Sequence, residues 1–273
     1  MPDVKNDARR EWTEREQLAA FRLYCATPFG RLHARNPEII ALARAMGRTP
    51  AAVAMKACNF ASLDPVQQAR GIAALGNAST ADKALWHRFA VEADQVAAAA
   101  EDAYGRLTGA VEADVEGVAT PEGITDDDEA RILEWAAEHA GSSEAVARVR
   151  VRRIQSFFRA AVLAAYEGRC AITGLDIPEL LTAAHIVPWN ADVKRRGDPR
   201  NGICLNALHD RAFDRGLITL DSDHRVVLSS VLRRSHGNEA LLIAYGGAPA
   251  RLPTRFGVEE AALRYHREHV FLG

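Results

Sequence analysis

At 273 residues and 48% hydrophobic, the chain is long enough for one large domain or two small ones, each with its own core. No apolar run approaches the ~20 residues that a membrane-spanning helix needs, and the N-terminus lacks a signal-peptide pattern. The four widely spaced cysteines do not have the pattern of a disulfide framework, which favours a reducing, cytoplasmic location.

The net charge of −2 is unevenly distributed along the chain. Residues 1–89 carry 13 Lys and Arg against 8 Asp and Glu, and residues 145–236 carry 15 against 9. Between them, residues 90–144 carry 2 against 15. Two basic segments around an acidic one are typical of two nucleic-acid-binding modules joined by a solvated connector. Charge also varies in this way along ordinary surface helices, and this alternative stays open.

Three helix starts are predicted in the first 60 residues. Thr13 and Glu16 have the spacing of a capping box, whereas Asn36 and Thr49 are each followed by proline at the first helical position. Gly47 ends the second helix only two residues before the third begins. This spacing predicts a helix-turn-helix arrangement in which the helix from Thr49 enters the major groove of DNA.

The third helix and its entry carry candidate DNA contacts. Arg48 and Thr49 stand at its N-terminus, where free amides and the helix dipole attract phosphate. Lys56 and Asn59 are expected to point outward, and asparagine can read adenine. The alternative is that these helices form an ordinary small bundle with no role in DNA binding.

Further along the chain, one Ala-rich helix is predicted from Thr80 to about Tyr104. Residues 108–143 combine glycine, proline and acidic residues without a sustained period, which predicts an acidic linker with a helix over 128–139. A helix is predicted over 144–167, with one face packed and arginines on the other. Those arginines either track phosphates or are simply solvated.

The second half of the chain contains a histidine, an asparagine and a histidine in that order. His185 follows an apolar strand, Asn201 lies 16 residues on, and His209 lies eight residues beyond it. The surrounding sequences are "AAHIVPW" at 183–189 and "HDRAFDRG" at 209–216. This pattern resembles the HNH nucleases over roughly residues 148–273. The N-terminal segments "PFG", "GRTP" and "NFASLDP" are similar to a module often found ahead of this HNH type.

The resemblance implies a C-terminal ββα-metal fold and metal-dependent hydrolysis of DNA. In that family, the histidine matching His185 is the general base, and the asparagine matching Asn201 pins the loop that aims it. His209 matches a ligand of one divalent cation, with Mg²⁺ or Mn²⁺ expected. Asp214 is either a second ligand or a structural residue. Ala184 stands where many members carry an Asp or His ligand, which leaves the metal one protein ligand short.

Two further features concern zinc and DNA. In many HNH proteins the position of Cys170 belongs to a zinc-binding Cys-x-x-Cys knuckle, but here Thr173 replaces the second cysteine and Cys204 has no paired cysteine, so no structural zinc is expected. The loop before Asn201 is basic and contains a glycine, which suits contacts to backbone phosphates. The residues expected to make these contacts are Lys194, Arg195, Arg196 and Arg200.

These patterns predict an α+β chain with a helical, helix-turn-helix-like domain over 1–107, an acidic linker over 108–143 and an HNH nuclease domain over 144–273. The predicted function is a metal-dependent endonuclease acting on double-stranded DNA, of restriction or defence type, with modified bases as one candidate target. Cutting both strands would favour a homodimer. Three alternatives remain: a DNA-binding regulator with a decayed HNH site, a nuclease switched on by a small ligand, and a purely structural protein.

Overall fold

A computed structural model describes residues 10–72, 78–109, 144–234, 236–237 and 240–273, apart from the side chains of residues 144–147. Residues 110–143 of the linker predicted over 108–143, with the helix predicted over 128–139, lie outside these residues. Among the described residues, no helix is long and apolar enough to cross a membrane. The helices of the first half are α1 (Glu14–Ala26), α2 (Pro37–Met46), α3 (Pro50–Ala61), α4 (Pro65–Ala69), α5 (Thr80–Val91) and α6 (Ala93–Thr108).

The predicted helix starts in this half are confirmed. Thr13 and Glu16 form the reciprocal capping box at the start of α1. Asn36 caps α2 and Thr49 caps α3, each with proline in the first turn. Gly47 ends α2 in the left-handed conformation at φ 65°, which an L side chain adopts only with strain.

The Ala-rich segment differs from its prediction as a single helix. Glu92 leaves the helical conformation, with φ −129° and ψ 51°, and separates α5 from α6. The break allows α6 to take its own direction against α1 and the segment that follows the linker. It also places the first turn of α6 beside the basic loop that precedes Asn201, where Asp94 accepts a hydrogen bond from the Gly197 amide.

The core of the first half is an aromatic cluster centred on Phe21 of α1. Its ring contacts Phe60 of α3, Phe89 of α5 and Phe157 of helix α7 (Glu144–Ala165), with centroids 4.9 to 6.2 Å apart. The next residue of α7, Phe158, belongs instead to the core of the second half. Helix α7 therefore packs against both cores, because its apolar residues cover more than one side of the helix.

The second half is built on two antiparallel hairpins. Strand β1 (Leu181–His185) pairs with β2 (Gly202–Asn206), and helix α8 (Ala207–Asp214) follows at once and packs on both strands. This is the ββα arrangement that the sequence predicts, and the chain is α+β. The remaining elements are β3 (Ile218–Leu220), β4 (Val226–Leu228), α9 (Ser230–Arg234) and α10 (Glu260–His269).

The C-terminal segment returns to the helical half and holds the two halves together. Arg255 is fully buried, and its guanidinium donates hydrogen bonds to the carbonyl oxygens of Tyr24 and Thr27. Asp64 Oδ2 accepts from the Tyr24 hydroxyl and from the Phe256 amide, each at 3.1 Å. Buried polar groups need such partners, so separating the halves would leave several of them unsatisfied.

Candidate active site

His185 is the last residue of β1 and has well-defined neighbours. Its imidazole stacks on Phe158 of α7, with centroids 3.7 Å apart and ring planes 8° apart. Its Nε2 lies 2.9 Å from the carbonyl oxygen of Arg196. A carbonyl oxygen only accepts hydrogen bonds, so the neutral imidazole carries its proton on Nε2 and presents Nδ1 as the unprotonated base.

The surroundings of His185 favour the neutral imidazole. Burial lowers its pKa to about 4, the bond to the Arg196 carbonyl acts in the opposite direction, and the Arg196 charge lowers the pKa further. At neutral pH the ring is therefore able to accept a proton. A phosphate anion beside the ring would favour the imidazolium and raise the pKa towards the range in which a general base works best.

Asn201 is buried and ties together both ends of the loop that follows β1. Its Oδ1 accepts from the Val187 amide at 2.8 Å, and its Nδ2 donates to the carbonyl oxygens of Val187 at 3.1 Å and Arg195 at 3.4 Å. The neighbouring carbonyl, that of Arg196, is the one bound by His185. This is the geometry that a loop-pinning residue requires; its role in catalysis stays a prediction.

Gly202 permits the close packing of α7 beside His185. It pairs with His185 across the hairpin, and a Cβ at this position would lie 2.3 Å from Val162 Cγ2 and 3.0 Å from Phe158 Cζ. Only a residue without a side chain allows α7 to approach β2 this closely. The stacking of Phe158 on His185 depends on that approach.

His209 lies in the first turn of α8 and is buried. Its Nδ1 is 3.0 Å from Asn206 Oδ1, which also accepts from the His209 amide. Because that oxygen is an acceptor, Nδ1 carries the proton and Nε2 has the free lone pair. Nε2 is buried without a hydrogen-bond partner among the described residues. The Tyr245 ring packs edge-on with its centroid 5.1 Å away.

The two histidines have separate sets of neighbours. His185 pairs with Gly202 at one end of the hairpin, whereas Asn206, the partner of His209, pairs with Leu181 at the other end. Four residues of strand span about 13 Å. The structure therefore brings His185 and Asn201 together and places His209 over a different part of the hairpin.

The donor set for a metal is small. Asp214 is exposed at the end of α8, and five helical residues place it about 140° around the axis from His209. Asp210 is buried and faces Thr182 of β1. Within the described ranges, no group of three or more His, Cys, Asp or Glu could hold a metal ion. The residues fit one protein ligand, the lone pair of His209 Nε2, with phosphate oxygens and water to complete the shell.

The cysteine turn is held by hydrogen bonds to sulfur. Cys170 Sγ accepts from the backbone amides of Thr173 at 3.5 Å and Asn206 at 3.3 Å. Asn206 Nδ2 also donates to Thr173 Oγ1 at 3.3 Å. The Thr173 side chain thus takes part in the turn at the position that a second knuckle cysteine would occupy.

The basic loop mostly contacts the protein itself, and DNA contact by its basic residues stays a prediction. Arg196 is buried, donates to the Trp189 carbonyl oxygen and lies over the Trp189 ring. Arg195 forms an ion pair with Glu259 at 2.8 Å. Arg200 pairs with Asp198 at 2.6 Å and donates to the Ala90 carbonyl oxygen. Lys194, by contrast, is exposed.

Two basic residues of the predicted recognition helix and its entry also pair within the protein. Lys56 Nζ is 2.5 Å from Asp82 Oδ1, and both side chains are buried. Arg48 pairs with Glu16 at 3.0 Å and lies over the ring of Trp12. The expectation that Lys56 points outward is wrong, because this face of α3 holds α5. Of the other two candidates, Thr49 is exposed while its side chain caps α3, and Asn59 is half-buried.

Three residues near the base were missed by reasoning from the sequence. Phe158 stacks on His185, and the Trp189 ring meets it edge-on at 5.4 Å, with Nε1 buried and unpartnered among the described residues. Asp94 Oδ1 accepts from the Gly197 amide at 2.6 Å. Asp94 lies in the acidic segment that was interpreted as part of a connector. The one feature of the sequence that indicates this contact is Gly197 in the basic loop, because a glycine allows another backbone to approach closely.

The comparisons with known proteins concern this same region. Residues 170–221, which include β1, β2 and α8, match the family described as HNH endonuclease. A solved structure titled "Modification dependent TagI restriction endonuclease" is 23% identical, covers 41% of this chain and 37% of that chain, and has a TM-score of 0.30. A search of curated proteins found no match. Residues 170–221 therefore match an HNH endonuclease domain, and this stretch includes His185, Asn201 and His209.

Proposed function

We propose that the chain hydrolyses phosphodiester bonds of double-stranded DNA, with His185 as the general base and one divalent cation, Mg²⁺ or Mn²⁺, on His209. The observation that carries the proposal is the hydrogen bond from His185 Nε2 to the Arg196 carbonyl oxygen, which leaves Nδ1 unprotonated. His185 lies inside the stretch that matches the HNH endonuclease family. The orphaned lone pair of His209 Nε2 supports the metal assignment.

In this mechanism His185 Nδ1 takes a proton from a water molecule while the water oxygen bonds to phosphorus. The bond from phosphorus to one sugar oxygen breaks, that oxygen takes a proton from solvent water to become a hydroxyl, and the His185 imidazolium returns its proton to solvent. When bound, the cation neutralises charge on the phosphate and on the leaving oxygen. Asn201 pins the loop beside the imidazole and Phe158 stacks on it, so the ring keeps one orientation. This matters because proton transfer slows steeply when the base is misplaced.

The candidates for DNA contact in this proposal are Lys194, Thr49 and Asn59. Lys194 is exposed on the loop that follows β1, and the exposed start of α3 offers backbone amides to a phosphate. A restriction or defence role, a preference for modified bases and a homodimer that cuts both strands are parts of the same proposal. The HNH match supports the nuclease part of this proposal.

The test is cleavage of plasmid DNA in Mg²⁺ or Mn²⁺, with plain, methylated and hydroxymethylated plasmids in parallel. We expect His185→Ala to bind DNA but to cut at least ~100-fold more slowly, which is the lower range for loss of a general base. The control is His87→Ala, because His87 is exposed on α5. Equal cutting by wild type and His185→Ala would remove His185 from the mechanism.

Two observations favour a second function, that of a DNA-binding regulator with a decayed site. Ala184 precedes the base, and the described residues contain no group of three metal-binding side chains. This alternative predicts DNA binding by the wild type without cleavage in either metal. Cleavage that depends on His185 would exclude it.

A further inference from the structure

The peptide group between Arg196 and Gly197 is hydrogen-bonded by a side chain at each end. Its carbonyl oxygen accepts from His185 Nε2 at 2.9 Å. Its N–H donates to Asp94 Oδ1 at 2.6 Å. One peptide group thus links a carboxylate in the helical half to the imidazole of the nuclease half.

We propose that Asp94 is a positioning residue for the general base, acting on His185 through this shared peptide group. A carboxylate at the N–H end polarises the peptide and makes its carbonyl oxygen a stronger acceptor. The stronger acceptor stabilises the imidazolium that forms when His185 takes the proton from water. The inference rests on the proposed function, in which His185 is that base.

The packing around Gly197 fixes the peptide against α6. A Cβ at Gly197 would lie 2.9 Å from Ala97 Cβ and 3.3 Å from both the Ala93 carbonyl oxygen and Asp94 Cα. The loop backbone therefore touches the helix directly. Arg200, three residues further along, donates to the Ala90 carbonyl oxygen at 3.1 Å. These contacts leave the peptide little freedom to turn away from Asp94.

The charges around Asp94 determine when it is ionised. Burial raises its pKa to about 6, the Gly197 N–H and the charges of Arg196 and Arg150 lower it, and the Asp198 charge raises it. Asp94 is therefore an anion at neutral pH and becomes neutral as the pH falls through about 6. Below that pH, the peptide loses its polarising charge while His185 is still unprotonated.

The decisive variant is Asp94→Asn, which keeps the shape and an acceptor oxygen for the Gly197 amide but removes the charge. We expect kcat for DNA cleavage to fall roughly tenfold and KM to stay unchanged. This loss is smaller than the ~10²–10⁴-fold rate increase that a general base contributes, because the base itself is still present. The wild-type pH profile of kcat/KM, which reports groups of the free enzyme, should show an inflection near pH 6 that the variant lacks. The matched control is Asp102→Asn, because Asp102 lies on the same helix and pairs with Arg106 and Arg153 instead.

A second readout does not depend on activity. In nitrogen-15 NMR of the metal-free protein, the His185 signals should show the Nε2–H tautomer and a step near pH 6 that reports ionisation of Asp94. The step should vanish in Asp94→Asn, and the His185 pKa should be lower there than in the wild type. A thermal melt checks that Asp94→Asn is folded. If the variant does not fold, the wild-type titration still tests whether ionisation of Asp94 changes the His185 signals.

The failure of this inference and that of the proposed function are distinguishable. If the wild type does not cleave DNA, or His185→Ala cleaves normally, then the proposed function fails. If cleavage depends on His185 but Asp94→Asn keeps the wild-type rate, the inflection and the His185 titration, then Asp94 does not act on the base.

Discussion

Asp94 of α6 and His185 of β1 bind opposite ends of one peptide group, that of Arg196 and Gly197. The helical half therefore contributes to the surroundings of His185, the proposed general base, as well as to the fold. The buried contacts of Arg255 and the placement of α7 between two cores join the halves in the same way. We therefore expect the proposed nuclease site to be sensitive to changes in either half.

Replacing Asn201 with alanine should release the loop that carries the Arg196 carbonyl. Three hydrogen bonds to backbone groups would be lost in a buried place, and we expect the free energy of unfolding to fall by about 1–3 kcal/mol. Cleavage should fall roughly 100-fold, because the base is no longer aimed. Chemical denaturation and single-turnover cleavage measure the two effects. A folded Asn201→Ala protein that cuts at the wild-type rate would contradict the loop-pinning role.

Replacing Lys56 with methionine should destabilise the helical half without weakening DNA binding. The change leaves the Asp82 carboxylate buried and unpaired, which costs about 3–5 kcal/mol when a buried pair is broken from one side. Met55→Ala is the matched control, since Met55 is the neighbouring exposed residue. Denaturation and a DNA-binding titration provide the measurements. Weaker binding with unchanged stability would show that Lys56 faces DNA after all.

His209→Ala and Asp214→Asn should have different effects on Mn²⁺ binding. Even changes outside the ligand shell cost 10–100-fold in metal affinity, so loss of the His209 imidazole should weaken Mn²⁺ binding at least roughly tenfold. Asp214→Asn should leave it unchanged, because Asp214 is exposed and lies on another side of α8. Calorimetry with DNA present measures both affinities. The reverse ranking would make Asp214 the ligand and His209 a structural residue.

The stability of the protein should fall in mild acid because His266 is buried as a neutral ring. Its Nδ1 is 2.9 Å from Thr219 Oγ1, and its Nε2 donates to the Phe213 carbonyl oxygen at 3.1 Å. Burial lowers the pKa of His266 to about 4, so the unfolded chain binds more protons between pH 6.5 and pH 4. Stability is then full above about pH 6.5 and falls by on the order of 3 kcal/mol towards pH 4.

The contribution of His266 is isolated by comparing the wild type with His266→Gln over that pH range. His185 adds a slope of the same sign in both proteins, because its pKa is also lowered to about 4. The difference between the two denaturation series should therefore flatten above pH 6.5 and change below it. Parallel series over the whole range would show that His266 does not titrate as a buried group.

Local chemistry accounts for what could be predicted from the sequence. The Thr13–Glu16 capping box, the prolines after Asn36 and Thr49, and the order of strand, loop, strand and helix around His185 depend on neighbours within a few residues. Those features survive in the structure with boundaries shifted by a residue or two.

Contacts between distant segments account for what could not be predicted. Lys56 and Asp82 lie on different helices, and nothing in the period of α3 distinguishes a lysine that pairs inside from one that faces solvent. Asp94 was grouped with acidic residues further along because composition averages over a segment. Its role is visible only once α6 is seen against Gly197.

The most direct test is a crystal structure of His185→Ala with duplex DNA and Mn²⁺, with the ion located by anomalous scattering. We expect one ion bound to His209 Nε2, and a backbone phosphate between that ion and the space left by the imidazole. An ion elsewhere, or DNA with no phosphate near residue 185, would contradict it.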